Sequence, residues 1–300
     1  MAALADEALF EGLWALVESQ SVVAAAALLM HGVFLILFVL AMFFMLRNRA
    51  EGQLILLFTA VLMAGFAIVQ VALDVSLATL ASSFFHITTK EGMSPHALSL
   101  MNMFSMGYKA RQGILATNNA VADCLLLYRC YLIWATSSYA RIVVAIPLIM
   151  ILATAAIAYV TIQLVLDIRI PFSFALLTNL VLFSLAAGRI WYKRRQAAVL
   201  QDTSVHKRYT ATLGVVLESG LLYVAAILIY VISISKSVPP FTTFQNICWG
   251  SLAQLVNIVP MLILVRGALA KAAPAPSDEE VGVGSTHKEM MMSATHKDTV

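Results

Sequence analysis

The chain has 300 residues, of which 61% are hydrophobic and only 12% are charged, and its formal net charge is +3. Soluble globular domains carry about a quarter charged residues. This composition, with a mean hydropathy of +0.88, therefore argues against a soluble enzyme or a nucleic-acid-binding domain and indicates an integral membrane protein.

The N-terminal segment 1–21 contains four acidic residues and no basic residue. Phe10, Leu13, Trp14 and Val17 would share one face of a helix, and glutamates would occupy another. We expect a short acidic segment that rests at the membrane interface. It does not resemble a cleavable signal peptide, which begins with a basic region.

Seven long apolar stretches follow. A bilayer core about 30 Å thick needs about 20 apolar residues in a helix, and each stretch is long enough. Unpaired backbone amides in hydrocarbon cost several kcal/mol, so every stretch must be helical. The sequence thus predicts an all-α, polytopic seven-helix transmembrane bundle over residues 22–270, with helices at about 22–46, 54–80, 113–134, 142–166, 171–190, 211–235 and 241–265.

The connections between these stretches are uneven. The longest runs over residues 81–112, where Ser94-Pro95 has the pattern of a helix start. We expect a short surface helix after it, lying on the outer mouth of the bundle. Residues 271–300 are rich in Pro, Ser, Thr, Gly and charges, and we expect a disordered cytoplasmic tail.

The distribution of Lys and Arg predicts the orientation. If the N-terminus faces out, fourteen of the 19 basic residues fall on the cytoplasmic side and five on the outer side. Basic residues concentrate in cytoplasmic loops. We therefore expect the N-terminus outside and the C-terminus in the cytoplasm.

Polar residues within the spans are the candidates for function. An acid at the centre of a membrane helix costs about 2.5 to 3.5 kcal/mol by insertion scales, so such residues face the bundle interior. Pairs four apart, or residues three apart, lie on one helical face, and three spans carry such stripes. The candidate ligand site and polar core comprises Gln70, Asp74, Asn119, Asp123, Gln254 and Asn257. The alternative is that these polar residues only form hydrogen bonds that hold neighbouring helices together.

Two further features stand nearer the cytoplasmic side. Arg129 and Glu218 lie at matched depth in their spans, and we expect them to pair as a conformational latch. His31 is a lone histidine expected to fill a packing role. A cytoplasmic basic patch, suited to anionic lipid or a signalling partner, comprises Arg189, Lys193, Arg194, Arg195, Lys207 and Arg208.

Catalysis is not expected. The sequence contains no phosphate loop, serine-hydrolase elbow or dinucleotide fingerprint. Five of the six histidines fall outside the predicted spans, so an intramembrane zinc site cannot be assembled. We expect no catalytic residue, no metal site and no cofactor.

Several motifs, in order, resemble a set of uncharacterised seven-helix membrane proteins of mushroom-forming (basidiomycete) fungi. The resemblance covers about residues 22–270 and implies a topology but no activity. The motifs are Asn118-Asn119-Ala120-Val121-Ala122-Asp123, Leu127-Tyr128-Arg129-Cys130-Tyr131-Leu132-Ile133-Trp134, Gly188-Arg189-Ile190-Trp191, Glu218-Ser219-Gly220-Leu221-Leu222-Tyr223 and Pro260-Met261-Leu262-Ile263-Leu264-Val265-Arg266.

Arg129 between Tyr128 and Tyr131, together with Asn257 and Pro260, is similar in placement to motifs of G-protein-coupled receptors. No acid precedes Arg129, and Asn257 and Pro260 are not adjacent. The resemblance implies a receptor-like signalling protein, with a small ligand inside the bundle and a cytoplasmic partner such as a G protein. We expect it in the plasma membrane, with an organelle membrane as the alternative. A secondary transporter or proton-coupled carrier, and a non-catalytic membrane scaffold, are the alternatives.

Overall fold

The computed structural model describes residues 2–47, 53–135, 140–199, 220–235 and 241–272. These residues form seven helices: α1 (Ala2–Arg47), α2 (Gln53–Glu91), α3 (Pro95–Trp134), α4 (Ala140–Leu164), α5 (Arg169–Val199), α6 (Gly220–Ser235) and α7 (Phe241–Ala272). The prediction of an all-helical protein is confirmed.

Five helices are long and apolar enough to cross a membrane, namely α1, α2, α4, α5 and α7. α3 is not among these five, and its C-terminal half carries Asn119, Asp123 and Arg129. The described part of α6 is apolar but short. The chain is thus a helical, multi-pass membrane protein, while seven crossings and their orientation stay predictions.

Three helices are much longer than the spans predicted from the sequence. α1, α2 and α3 have 46, 39 and 40 residues, or roughly 60 Å or more at 1.5 Å per residue, about twice the hydrocarbon thickness. Residues 2–21 are not a separate segment, because they continue directly into the apolar part of α1. Similarly, residues 96–108 belong to α3 and do not form an isolated surface helix.

The turn between α2 and α3 shows why both helices end where they do. Gly92 adopts a φ of 71°, the left-handed conformation that glycine accepts at a helix C-terminus. Ser94 then accepts a hydrogen bond from the Ala97 backbone N–H at 3.3 Å, with Pro95 in the first turn. The predicted Ser94-Pro95 helix start is confirmed.

The helices form a bundle around α7. α7 packs on α1, α2 and α3, and α3 also packs on α2, α4 and α5. Aromatic contacts of Tyr230 with Phe172 and Trp249 place α6 beside α5 and α7. In the apolar span of α7 67% of residues are buried inside the protein, against 17% in α4. α4 therefore presents most of its surface to lipid, and α7 is a central helix.

The α4–α5 connection and the N-termini of α1, α3 and α7 lie at one end of the bundle, called here the amino-terminal end. The charge distribution predicts that this end faces the outside, and this orientation stays a prediction. The other end carries Trp134 and Arg189. The far tail, residues 273–300, lies outside the described residues, so the predicted disorder there stays a prediction.

Candidate functional site

The buried polar residues divide into separate clusters. The first surrounds Asp123, which is 1% exposed and lies in the C-terminal half of α3. Asn119, one turn earlier, donates from Nδ2 to Asp123 Oδ2 at 3.0 Å, as the spacing of four residues favours. The Tyr223 hydroxyl of α6 donates to Asn119 Oδ1. The α3 stripe is thereby bonded to a second helix.

The two carboxylate oxygens of Asp123 are bonded unequally. The Asn179 side chain of α5 is close enough to stabilise the carboxylate as a second amide donor, although its Nδ2 points to the Ala175 carbonyl at 3.0 Å. Among the described residues, Asp123 Oδ1 has no hydrogen-bond partner. Buried polar groups are nearly always paired, so an unsatisfied acceptor at this position marks a candidate site.

Asp123 and Asn119 form part of the wall of a cavity between α3, α4, α5, α6 and α7. Its volume is about 70 Å³. It extends from the α4–α5 connection at the amino-terminal end down to the level of Asp123. The wall is mainly apolar, and its polar members are Gln112, Asn119, Asp123, Thr154, Thr161 and Tyr223.

The cavity wall is held in place by hydrogen bonds between helices. Thr154 of α4 and Thr178 of α5 bond through their hydroxyls at 3.0 Å. Nearer the amino-terminal end, Thr117 of α3 bonds the Tyr159 hydroxyl of α4 at 2.6 Å. These contacts fix three of the five helices that enclose the cavity.

The second cluster surrounds Asp74 and lies apart from the cavity. Asp74 Oδ1 is 3.3 Å from Arg111 Nη1, and both side chains are almost fully buried. The same Arg111 nitrogen donates to Gln20 Oε1 at 3.2 Å. The expectation that Asp74 would share a ligand site with Asn119 and Asp123 is wrong in geometry, because Asp74 instead forms an ion pair that joins α1, α2 and α3.

Aromatic rings complete the surroundings of Arg111. Its guanidinium lies 4.8 Å from the ring centre of Tyr108 and 5.4 Å from that of Trp249, which are cation–π distances. Sequence reasoning missed Arg111 because it assigned residues 81–112 to a loop. Between Pro95 and Arg111 the sequence contains no further Pro and a single Gly. This lack of helix-breaking residues is the signal that indicates a continuous helix.

A third cluster involves α7. Gln254 Oε1 accepts a hydrogen bond from His31 Nδ1 at 3.3 Å, and its Nε2 donates to the Ala67 carbonyl at 3.5 Å. His31 also stacks on Phe34, in keeping with the packing role expected for it. Gln70 and Asn257 are buried nearby in the same bundle core. These contacts tie α7 to α1 and α2.

The predicted latch and basic patch are described only in part. Arg129 is half-buried on α3, but Glu218 lies outside the described residues, so their pairing stays a prediction. Lys207 and Arg208 also lie outside them. Arg189 stacks on Trp134 at 4.8 Å, and Arg195 on Trp191 at 4.4 Å. Lys193 and Arg194 belong to α5 as well.

Two residues of the Asp123 cluster were not candidates from the sequence. Tyr223 and Asn179 both lie within predicted spans, but neither is an ionisable acid, and the cost of burying an acid was the criterion that selected the candidates. Within the described ranges, no group of three or more His, Cys, Asp or Glu side chains is arranged to hold a metal ion.

Comparison with known proteins gave no further lead. No family model matches the sequence, and no curated protein or solved structure is significantly similar to it. The likeness to fungal seven-helix proteins therefore stays a prediction.

Proposed function

We propose that this integral membrane protein is a receptor-like signalling protein that binds a small ligand in the cavity beside Asp123. The observation that carries the proposal is a mainly apolar cavity with an incompletely bonded carboxyl on its wall. Ligand sites are typically apolar hollows with a few convergent polar groups. A helix interface held only by structural hydrogen bonds needs no such space.

The same helix offers a route from the cavity to the opposite end of the bundle. Trp134, eleven positions after Asp123 on α3, donates from Nε1 to the Leu185 carbonyl of α5 at 3.2 Å. Arg189 of α5 stacks on the Trp134 ring. A ligand that shifts α3 against α5 at the cavity would alter this contact about 16 Å away. Ligand binding would act by favouring one of two such arrangements.

The far contact lies next to the basic residues of α5. Lys193 and Arg195 follow Arg189 within two turns, so movement of α5 would displace a cationic surface. Such a surface suits a G protein or an anionic lipid headgroup. We place the protein in the plasma membrane, with the amino-terminal end outside.

The test is ligand screening in a heterologous cell that reports G-protein activation, with surface expression measured in parallel. The wild-type protein should respond to a small ligand, and Asp123→Asn should lose the response at normal surface expression. Proton-dependent solute flux in reconstituted vesicles, without a ligand-dependent signal, would contradict the proposal and favour a carrier.

A second variant separates binding from signalling. Trp134→Phe keeps an aromatic ring against Arg189 but removes the N–H that bonds Leu185. We expect ligand affinity to change less than about threefold while the maximal cellular response falls at least twofold. Equal responses in the variant and the wild type would exclude this contact as part of the route.

A further inference from the structure

The cavity beside Asp123 is electrostatically unbalanced. Asp123 is the sole acid among the residues that line it, and these include no Lys, Arg or His. Among the described residues, ion pairs are found between Asp74 and Arg111 and between Asp167 and Arg169. Asp123 belongs to neither. Its carboxyl therefore faces a mainly apolar space without a described basic partner.

A buried carboxyl in this position either keeps its proton or meets a positive partner that offsets the desolvation of the ionised form. Asn119 supplies one neutral hydrogen bond to Oδ2, and Asn179 is a second neutral amide beside the carboxyl. Among the described residues, Oδ1 has no partner within hydrogen-bond geometry. A ligand that brings both a proton donor and a positive charge would satisfy that oxygen. Charge-assisted hydrogen bonds are roughly twice as strong as neutral ones.

The aromatic residues of the wall favour the same chemistry. Phe172, Tyr223 and Trp249 all line the cavity, and the faces of such rings attract organic cations. Trp249 already lies within cation–π distance of the Arg111 guanidinium. The alkyl part of an organic cation would meet Leu115, Ile151 and other apolar wall residues.

We infer that the ligand is a small apolar molecule carrying a protonated amine, whose ammonium group binds Asp123 Oδ1. This inference rests on the proposed ligand-binding function and narrows its chemical class. The cavity volume of about 70 Å³ is about half that of an engineered apolar cavity that holds benzene, about 150 Å³. An amine of about four carbons is therefore a suitable probe.

The experiment compares three probes of nearly equal shape: n-butylamine, 1-butanol and butyrate. The full-length protein is placed in nanodiscs at pH 7, where the amine is protonated. Dissociation constants are obtained from the dependence of the unfolding midpoint on probe concentration. We expect the amine to bind at least tenfold more tightly than the alcohol, and butyrate to produce no shift.

Two variants and a control show whether Asp123 is responsible. Asp123→Asn should weaken amine binding at least tenfold, which brings the amine close to the alcohol. Ala158→Leu, which keeps the carboxyl but fills the cavity from α4, should weaken both probes and remains informative if Asp123→Asn does not fold. Glu91→Gln removes an exposed acid at the end of α2 and should leave both affinities unchanged.

The inference is overturned if the amine binds Asp123→Asn as tightly as wild type, if the alcohol matches the amine, or if no probe shifts the midpoint. Its failure is separable from that of the receptor proposal. Amine binding to the purified protein without any cellular signal removes the receptor role alone. A cellular response to neutral ligands through this cavity removes the amine class alone.

Discussion

The ion pair between Asp74 and Arg111 joins α2 to α3 toward the amino-terminal end of the bundle. Both side chains are buried, at 1% and 3% exposure. Removing one member of a buried pair leaves an uncompensated charge, which costs about 3–5 kcal/mol. Arg111 also contacts Gln20 and the rings of Tyr108 and Trp249. Its side chain is therefore held in place by several contacts besides the ion pair.

We therefore expect Asp74→Asn to lower the free energy of unfolding by about 3 kcal/mol. Arg111→Gln should have a similar effect, and the double variant should cost clearly less than the sum of the two. Thermal unfolding of the four proteins in nanodiscs gives the coupling energy directly. Additive effects would show that the two charges do not interact.

For single residues, the sequence predicted that the acids within the spans are buried. It did not predict which side chains on other helices they contact. The cost of an acid in hydrocarbon identified Asp74 and Asp123 as interior positions, and both are 1% exposed. Their partners depend on how each helix is rotated and how far it extends. The spacing of four residues linked Asn119 to Asp123 correctly, because both lie on one helix.

A close approach of two helix backbones that requires a glycine lies between α1 and α7. A Cβ atom on Gly250 would lie 2.4 Å from the Val23 carbonyl oxygen and 3.2 Å from the Ala27 backbone nitrogen. Small residues permit such close approach of membrane helices. On the facing side of α1, the buried alanines Ala26 and Ala27 serve the same purpose.

Gly250→Ala should therefore separate α1 from α7 and lower the free energy of unfolding by about 1–3 kcal/mol. Gly65→Ala is the matched control, because a Cβ there meets nothing within 4 Å, and alanine favours helix by up to about 1 kcal/mol. Unfolding midpoints in the same detergent measure both. Equal midpoints for Gly250→Ala and wild type would contradict the close approach.

At the C-terminus of α4, a residue other than glycine occupies a backbone conformation that favours glycine. Val165 has a φ of 53°, a conformation that costs a β-branched residue about 1–2 kcal/mol. Its side chain is 80% exposed, so little packing offsets this strain. Val165→Gly should raise the unfolding midpoint by a few degrees. Leu164→Gly, inside the helix, should lower it.

Apolar length predicted the existence of these helices more reliably than their ends. The extra turns of α1, α2 and α3 contain residues such as Glu11, Lys90 and Asn102, which a search for apolar runs excludes. Helical backbone can continue into water where neighbouring helices support it. In this protein Phe10 and Trp14 pack on Phe85 and join the extensions of α1 and α2.

For the whole molecule, the basic-residue count predicts that the two chain ends lie on opposite sides of the membrane. Cysteines introduced at Glu7 and at Ser285 test this in intact cells with a membrane-impermeant maleimide. The native cysteines, Cys124, Cys130 and Cys248, all lie within helices. Labelling at position 7 alone is expected. Labelling at both positions, or at position 285 alone, would overturn the predicted orientation.

The cavity beside Asp123 is enclosed by helices of unequal length, so its wall is higher on one side than on the other. α2 and α3 continue beyond the level at which α4 turns into α5, and Ile168 and Pro171 of that turn line the cavity. The wall around the entrance is therefore higher on the side of α1, α2 and α3 and lower at the α4–α5 connection. Because only 17% of the apolar span of α4 is buried, this lower side of the cavity adjoins the exposed outer surface of the bundle.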